Sequence, residues 1–182
     1  MINYPDLNTA RLVCRTISGV LFAGLISGCA LLQAPAIDPT PLEAGRLPTP
    51  DMTRQLAQLG PCTDEAEQAF SLDSSKPVTI LVHGCNGSAG RFRSLAQLYA
   101  FHGQQAVCFS YDDRASLVLG AEQLASAVGA LAEKMQHRDI TVIGHSMGGL
   151  VARKAMEGEQ RTDWERQGLK VNLVTVSAPV SG

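Results

Sequence analysis

The amino-acid sequence predicts an α/β fold: a doubly wound, mostly parallel sheet with helices on both faces. Two observations support this prediction. Short apolar runs rich in β-branched residues alternate with helical segments, and Gly144-His145-Ser146-Met147-Gly148 joins one such run to a helix. Parallel strands need crossover connections, so this alternation favours a parallel sheet. In such sheets, sites form in the loops that follow the carboxyl ends of the strands.

Four strands and three helices are predicted between residue 76 and the end of the sequence. The longest helix is indicated by apolar residues that recur by threes, fours and sevens, among them Leu124, Val128 and Leu131. Runs such as Thr79-Ile80-Leu81-Val82 indicate buried strands. The predicted strands are 77–82, 106–110, 139–143 and 171–176, and the predicted helices are 91–101, 117–135 and 147–156.

The first 28 residues have the layout of a secretory signal. Arg11 and Arg15 precede the uncharged apolar run Ile17–Ile26, and small residues follow it. A run of about ten apolar residues is well short of the ~20 needed to cross a bilayer as a helix, which disfavours the transmembrane alternative. Residues 29–50, rich in proline and alanine, are predicted as an extended tether.

A lipid anchor is predicted at the end of this signal. Leu25-Ile26-Ser27-Gly28-Cys29 resembles the bacterial lipobox, which implies that Cys29 is lipidated and becomes the mature N-terminus. Several acyl chains anchor a protein stably where one chain would not. The sequence therefore predicts an exported protein held at the cell envelope. Ala30, where an aspartate could follow the cysteine, resembles the lipoproteins that are sorted to the outer membrane and so implies that location. A plain signal peptide with a coincidental Cys29 is the alternative.

Residues 51–75 form an N-terminal extension, in which 51–59 is predicted as a short helix that ends at Gly60-Pro61. The formal net charge is -2, and no block of like charges occurs. This gives no electrostatic reason to expect a nucleic acid, and it favours a small uncharged partner. The spacing of cysteines and histidines predicts no metal site.

The pentapeptide Gly144–Gly148, which directly follows the third predicted strand, is a G-x-S-x-G nucleophile elbow in its required strand-turn-helix setting. A serine on so sharp a turn is held in a strained backbone conformation. Larger residues at Gly144 and Gly148 would collide with the adjacent strand and helix. Ser146 is therefore the candidate nucleophile.

Three segments together resemble the bacterial lipase and esterase branch of the α/β-hydrolases: Leu81-Val82-His83-Gly84, Ile143–Gly149 and Val176–Gly182. The resemblance covers residues 76–182, the N-terminal part of such a domain. It implies hydrolysis of a small-molecule or lipid carboxylic ester through an acyl-enzyme on Ser146, without a cofactor. The last segment is similar to the family's T-P-H-x-G, with Val180 in place of the histidine.

The resemblance also implies how the negative charge on the reacting oxygen is held. In the family, the donors are the backbone N–H of the residue after the nucleophile and one N–H from the loop after the earlier strand. By position these belong to Met147 and Cys85, with Asn86 as the alternative to Cys85. His83, Gly84, Asn86 and His145 are predicted to line the binding site.

No histidine follows Ser146, although the family order is serine, acid, histidine. His102 and His137 are predicted at the surface, and Asp112 and Asp113 at a turn or the pocket rim. The family continues with further strands that carry the acid and the base, so we expect the sequence to be a truncated form of a longer enzyme with little esterase activity of its own.

Three cysteines lie outside the signal and the lipobox. Cys108 falls within a predicted strand and is expected to be a buried thiol, whereas Cys62 and Cys85 lie in loops and are the candidate disulfide pair. Two other functions remain open: acyl transfer or thioester cleavage on the same elbow, and a non-catalytic envelope scaffold. An acid and a histidine in family order in a downstream sequence would favour the enzyme.

Overall fold

A computed structural model of the protein describes residues 50–65, 68–157 and 159–180. Three predicted features lie outside the described residues: the signal segment 1–28, nearly all of the predicted tether 29–50 and the predicted lipidation site Cys29. No helix in the described part is both long enough and apolar enough to span a membrane.

The described chain forms seven strands and four α-helices. In chain order these are β1 (Met52–Arg54), β2 (Leu59–Gly60), β3 (Phe70–Leu72), β4 (Val78–Val82), α1 (Arg93–Phe101), β5 (Gln105–Phe109), α2 (Leu117–Ala132), β6 (Asp139–His145), α3 (Met147–Ala155), α4 (Glu159–Arg166) and β7 (Lys170–Val176). A 3-10 helix, Ala89–Phe92, directly precedes α1.

Five strands form the main sheet, in the order β2-β5-β4-β6-β7. β4, β5, β6 and β7 run parallel, and β2 is antiparallel to β5 at one edge. The register aligns Val82 with Phe109 on one side and with Gly144 on the other, and His145 with Val176. The carboxyl ends of these strands therefore share one edge of the sheet, as the sequence predicted.

The core lies on both faces of this sheet because β4, at its centre, is buried along its whole length. α2 packs one face through the apolar stripe that the sequence predicted, with Leu124, Val128 and Leu131 fully buried. Ser116 caps this helix, its hydroxyl accepting the Leu119 N–H at 3.1 Å. The four predicted strands and three predicted helices are confirmed, with small shifts at their ends.

The predicted helix 51–59 is wrong. β1 pairs antiparallel with β3 in a separate two-stranded sheet, and β2 joins the main sheet. Gln58 has φ 64°, a left-handed conformation that interrupts a helix, and it directly precedes β2. Leu59 is buried opposite Phe109, so strand pairing across the chain determines this segment.

The disulfide prediction is also wrong. The structure joins Cys62 to Cys108, with 5.0 Å between their Cα atoms, and leaves Cys85 as an exposed free thiol. The reason is the pairing of β2 with β5, which places Gly60 opposite Cys108 and brings Cys62 within reach. Cys108 is buried as expected for a strand residue, but as half of a disulfide and not as a thiol.

Candidate active site

Ser146 lies between the last residue of β6 and the first residue of α3. Its backbone has φ 54° and ψ -124°, which is strained for a residue with a Cβ atom. Two hydrogen bonds hold this turn: the Ser146 N–H donates to the Val176 carbonyl at 2.9 Å, and the Gly149 N–H donates to the Ser146 carbonyl at 3.0 Å. The predicted strand-turn-helix setting of Ser146 is confirmed.

The glycines on either side of Ser146 are needed because the backbones approach too closely for a side chain. A Cβ atom at Gly144 would lie 2.5 Å from the Gly148 carbonyl oxygen and 2.5 Å from the Gly149 Cα. A Cβ atom at Gly148 would lie 2.5 Å from the Val82 carbonyl oxygen. A larger residue at Gly144 would push β6 away from α3, and a larger residue at Gly148 would push α3 away from β4.

The loop after β4 lies directly against Ser146. A Cβ atom at Gly84 would lie 2.9 Å from the Ser146 Cβ and 3.4 Å from its Oγ, so Gly84 admits the close approach of the two segments. The loop then turns back, with the Gly87 N–H donating to the Gly84 carbonyl at 3.1 Å and Asn86 at φ 52°. The predicted proximity of Ser146 to this loop is confirmed.

Ser146 and this loop line one open cleft of about 490 Å³. It brings together the predicted site residues of both motifs except Met147, which does not line the cleft. Met147 directly follows Ser146 as the first residue of α3. Arg91 and Phe92, which the sequence analysis did not assign to the site, also line it. The full lining is His83, Gly84, Cys85, Asn86, Gly87, Arg91, Phe92, His145 and Ser146.

Backbone N–H groups are free to act as donors at this cleft. Within the described residues, the N–H groups of Cys85 and Asn86 form no hydrogen bond. Met147 begins α3, and the first N–H groups of a helix have no partner within it. The helix dipole also favours negative charge at this end. Either loop residue, Cys85 or Asn86, therefore has a backbone N–H group available to donate to a ligand in the cleft.

Tyr111, which was not predicted as a site residue, contacts His83 at the start of the loop after β4. Its hydroxyl donates to the His83 carbonyl at 2.9 Å, and its ring stacks on the His83 ring with 4.6 Å between centroids. Burial, helped by the nearby Asp113 and Cys85, raises the pKa of Tyr111 to about 12. The phenol therefore keeps its proton and remains a donor at neutral pH.

None of the four histidines hydrogen-bonds to the Ser146 hydroxyl in the described structure. His83 is buried under the loop, with its Nδ1 3.0 Å from the Gly84 carbonyl oxygen. His137 accepts the Asp139 N–H at 3.2 Å beside the start of β6, at the opposite end of that strand from Ser146. His102 is exposed just after α1, and His145 is exposed at the end of β6.

The two aspartates after β5 occupy a turn, as predicted. Asp112 accepts the Arg114 N–H at 2.9 Å, and Asp113 is half-buried near Tyr111. No group of three or more histidine, cysteine or acidic side chains in the described ranges is arranged to hold a metal ion.

A larger cleft of about 820 Å³ lies between α3, α4 and the outer edge of β7. It is lined by residues such as Arg153, Trp164 and Lys170, and none of the predicted site residues contributes to it. We place the candidate site in the smaller cleft because the candidate nucleophile Ser146 and residues with unpaired backbone N–H groups line it.

The described sheet, with its crossover helices, has the fold of the α/β-hydrolases. A family model described as the PGAP1-like alpha/beta domain matches residues 121–182, about a third of the chain, which include the elbow. No curated protein matches the chain in sequence.

Solved structures of a Bacillus licheniformis lipase, BlEst2, are similar in fold. The mature form has a TM-score of 0.51 and 19% identity, over 60% of this chain and 44% of that one. The propeptide form has a TM-score of 0.50 and 16% identity, over 74% of this chain and 27% of that one. The chain therefore spans less than half the length of either structure.

Proposed function

We propose that the protein is a carboxylic ester hydrolase that forms an acyl-enzyme on Ser146. The observation that carries this proposal is the strained turn that presents Ser146 to a cleft bordered by free backbone N–H groups. A strained turn of this kind costs stability, and it persists in proteins mainly where function requires it. A hydrolase on this fold agrees with the BlEst2 structures, which share the fold.

The proposed reaction follows from these positions. The Ser146 oxygen attacks the ester carbonyl carbon as its proton passes to a base, and the carbonyl oxygen becomes an oxyanion held by the N–H groups of Met147 and of Cys85 or Asn86. The carbonyl re-forms as the alcohol leaves with a proton. Water then repeats these steps on the acyl-enzyme and releases the acid. Losing one oxyanion donor typically costs about 100- to 1,000-fold in rate.

We propose that the acid and the base are supplied by a longer form of the protein that extends beyond residue 182. No histidine in the sequence follows Ser146, and the chain spans 44% of the mature BlEst2 structure. A serine hydroxyl is a weak nucleophile without a neighbouring base. The 182-residue chain should therefore position the nucleophile without activating it.

We expect the longer form to hydrolyse p-nitrophenyl esters with a burst of about one equivalent of p-nitrophenol before the steady state. Acyl-enzyme accumulation produces such a burst, because alcohol release precedes the hydrolysis of the acyl group. Stopped-flow absorbance measures it. A longer form that carries a histidine and an acid in family order but does not turn over oxygen esters would overturn the proposal; turnover of thioesters alone would identify a thioesterase.

We also propose that Cys29 is lipidated and anchors the protein in the bacterial envelope. Ala30, directly after this cysteine, supports a location at the outer membrane. The apolar run before Cys29 supports export, and so does the Cys62–Cys108 disulfide, because disulfides form and persist in oxidising compartments. Mass spectrometry of the exported protein should find an acylated cysteine at its N-terminus. A soluble product that begins at another residue would contradict this proposal.

A further inference from the structure

The cleft beside Ser146 carries positive side-chain charge and no negative side-chain charge. Arg91 is the one permanently charged residue among those that line it, and neither an aspartate nor a glutamate contributes to the lining. This contrasts with the whole sequence, whose formal net charge is -2. The local sign of the charge is therefore a property of this cleft and not of the protein as a whole.

Arg91 has no anionic partner within the described residues. Its side chain appears in no ion pair or hydrogen bond, whereas Arg153, Arg161 and Arg166 each form an ion pair with a carboxylate. Asp64 lies close to the backbone of this segment, where it accepts the Gly90 N–H at 3.2 Å, but it forms no ion pair with Arg91. The guanidinium is exposed and available to a ligand.

Backbone groups add to the positive character of the same cleft. α3 directs its N-terminus at Ser146, and no acidic residue occupies the first turn of that helix. Cys85 and Asn86, whose N–H groups form no hydrogen bond within the described residues, line the same cleft. An arginine, a helix N-terminus and unpaired N–H groups together favour a ligand with negative charge.

We propose that Arg91 binds an anionic group, a phosphate or a carboxylate, on the ester that the cleft accepts. This inference rests on the proposed function and specifies its substrate class, which differs from the uncharged partner that the net charge of the sequence favoured. The role differs from that of the backbone donors, which hold charge that develops only during the reaction. Arg91 holds charge that the substrate carries throughout, so it acts in binding and specificity.

Cys85 makes this proposal testable without enzymatic activity, because its exposed free thiol lines the same cleft as Arg91. In both reactions the Cys85 sulfur forms a bond to the CH₂ carbon as the carbon–iodine bond breaks and iodide leaves. Iodoacetate thereby transfers a carboxymethyl group and iodoacetamide a carbamoylmethyl group, and the thiol proton goes to the buffer. Iodoacetate is negatively charged and iodoacetamide is neutral. Because both react with the same thiolate, the ratio of their rates is independent of how much of the thiol is ionised.

The 182-residue chain is used with Ser146→Ala, so that the result does not depend on the nucleophile, and peptide mass spectrometry follows Cys85 alone. We expect Arg91→Gln to lower the iodoacetate-to-iodoacetamide ratio by about fourfold, the effect of one unit charge at roughly 5 Å in a water-like dielectric. Arg91→Lys should keep most of the ratio. The ratio of the parent chain should fall towards that of Arg91→Gln as salt is raised.

Arg93→Gln is the matched control, because Arg93 is an exposed arginine two residues away that does not line the cleft. An unchanged ratio in Arg91→Gln, or an equal fall in Arg93→Gln, would overturn the proposal. Protection of Cys85 from iodoacetamide by inorganic phosphate or by acetate, at constant ionic strength, distinguishes the two anionic groups. If neither protects better than chloride, Arg91 does not form a binding site.

Discussion

Replacing Ser146 with alanine in the longer form should abolish hydrolysis of p-nitrophenyl esters. Removing the nucleophile of a serine hydrolase costs on the order of a millionfold in kcat, because the base and the acid act only through that oxygen. Binding should change little, since Ser146→Ala removes one oxygen atom and keeps the Cβ atom, which lies close to Gly84 of the loop after β4. Steady-state kinetics measures the loss, and circular dichroism verifies the fold.

Ser177→Ala is a matched control for this experiment. Ser177 also follows a parallel strand, β7, at the same edge of the sheet, and it also has a positive φ, 52°. It lies outside the cleft, so its alanine variant should retain activity. Turnover by Ser146→Ala near the parent rate would place the nucleophile elsewhere, whereas loss of activity in both variants would indicate that the elbow region had been disturbed.

Removing the disulfide should produce the largest effect on stability. Cys62 and Cys108 are separated by 46 residues, and a loop of that length predicts a loss of about 4 kcal/mol in the free energy of unfolding when the cross-link is removed. The bond ties the N-terminal extension to β5 inside the core, where both cysteines are buried. Urea denaturation of the Cys62→Ala, Cys108→Ala double variant measures the change.

Cys85→Ala is the control, because this thiol is exposed and free. It should leave the urea midpoint nearly unchanged. Equal stability of the double variant and the parent would contradict the assigned cross-link, and so would a loss of stability in Cys85→Ala that matched the loss in the double variant. Mapping of disulfide-linked peptides without reduction provides an independent check of the pairing.

The parallel core could be predicted from sequence because its signals are local. Each strand from β4 to β7 is a short apolar run, and α2 repeats its apolar residues at helical spacing. α4 could not be predicted because it lacks such a local signal. It is strongly charged, and its single deeply buried side chain, Trp164, gives no periodic pattern. Local patterns predict an element when burial of one face determines it.

The N-terminal extension could not be predicted because its structure depends on distant partners. β2 is two residues long and exists through its pairing with β5, which lies more than forty residues further along the chain. The same pairing decides which cysteine Cys62 reaches, so the errors in secondary structure and in disulfide pairing share one cause. Cysteine spacing alone does not contain that information.

In the candidate site, too, the residues of local motifs could be predicted from sequence and the residues placed by tertiary structure could not. Ser146 and Gly84 belong to motifs that the sequence displays directly, and the structure brings them together because their strands are neighbours. Arg91 and Tyr111 reach the loop through the turn before α1 and through the end of β5. Their positions depend on the path of those two segments across the edge of the sheet where the parallel strands end. The sequence does not determine that path; it shows only that both residues come after a predicted strand.

The most direct test of the central claim is to map the residue modified by a fluorophosphonate probe. Peptide mass spectrometry should find the adduct on Ser146 in the longer form. The 182-residue chain should label only weakly, because it contains the proposed oxyanion donors whereas we propose that the base lies in the longer form. Removing one triad member in a serine protease leaves roughly 1,000- to 10,000-fold catalysis over water, so faint labelling of the short chain is expected. An adduct on any other residue of the longer form, with Ser146 unmodified, would contradict the account.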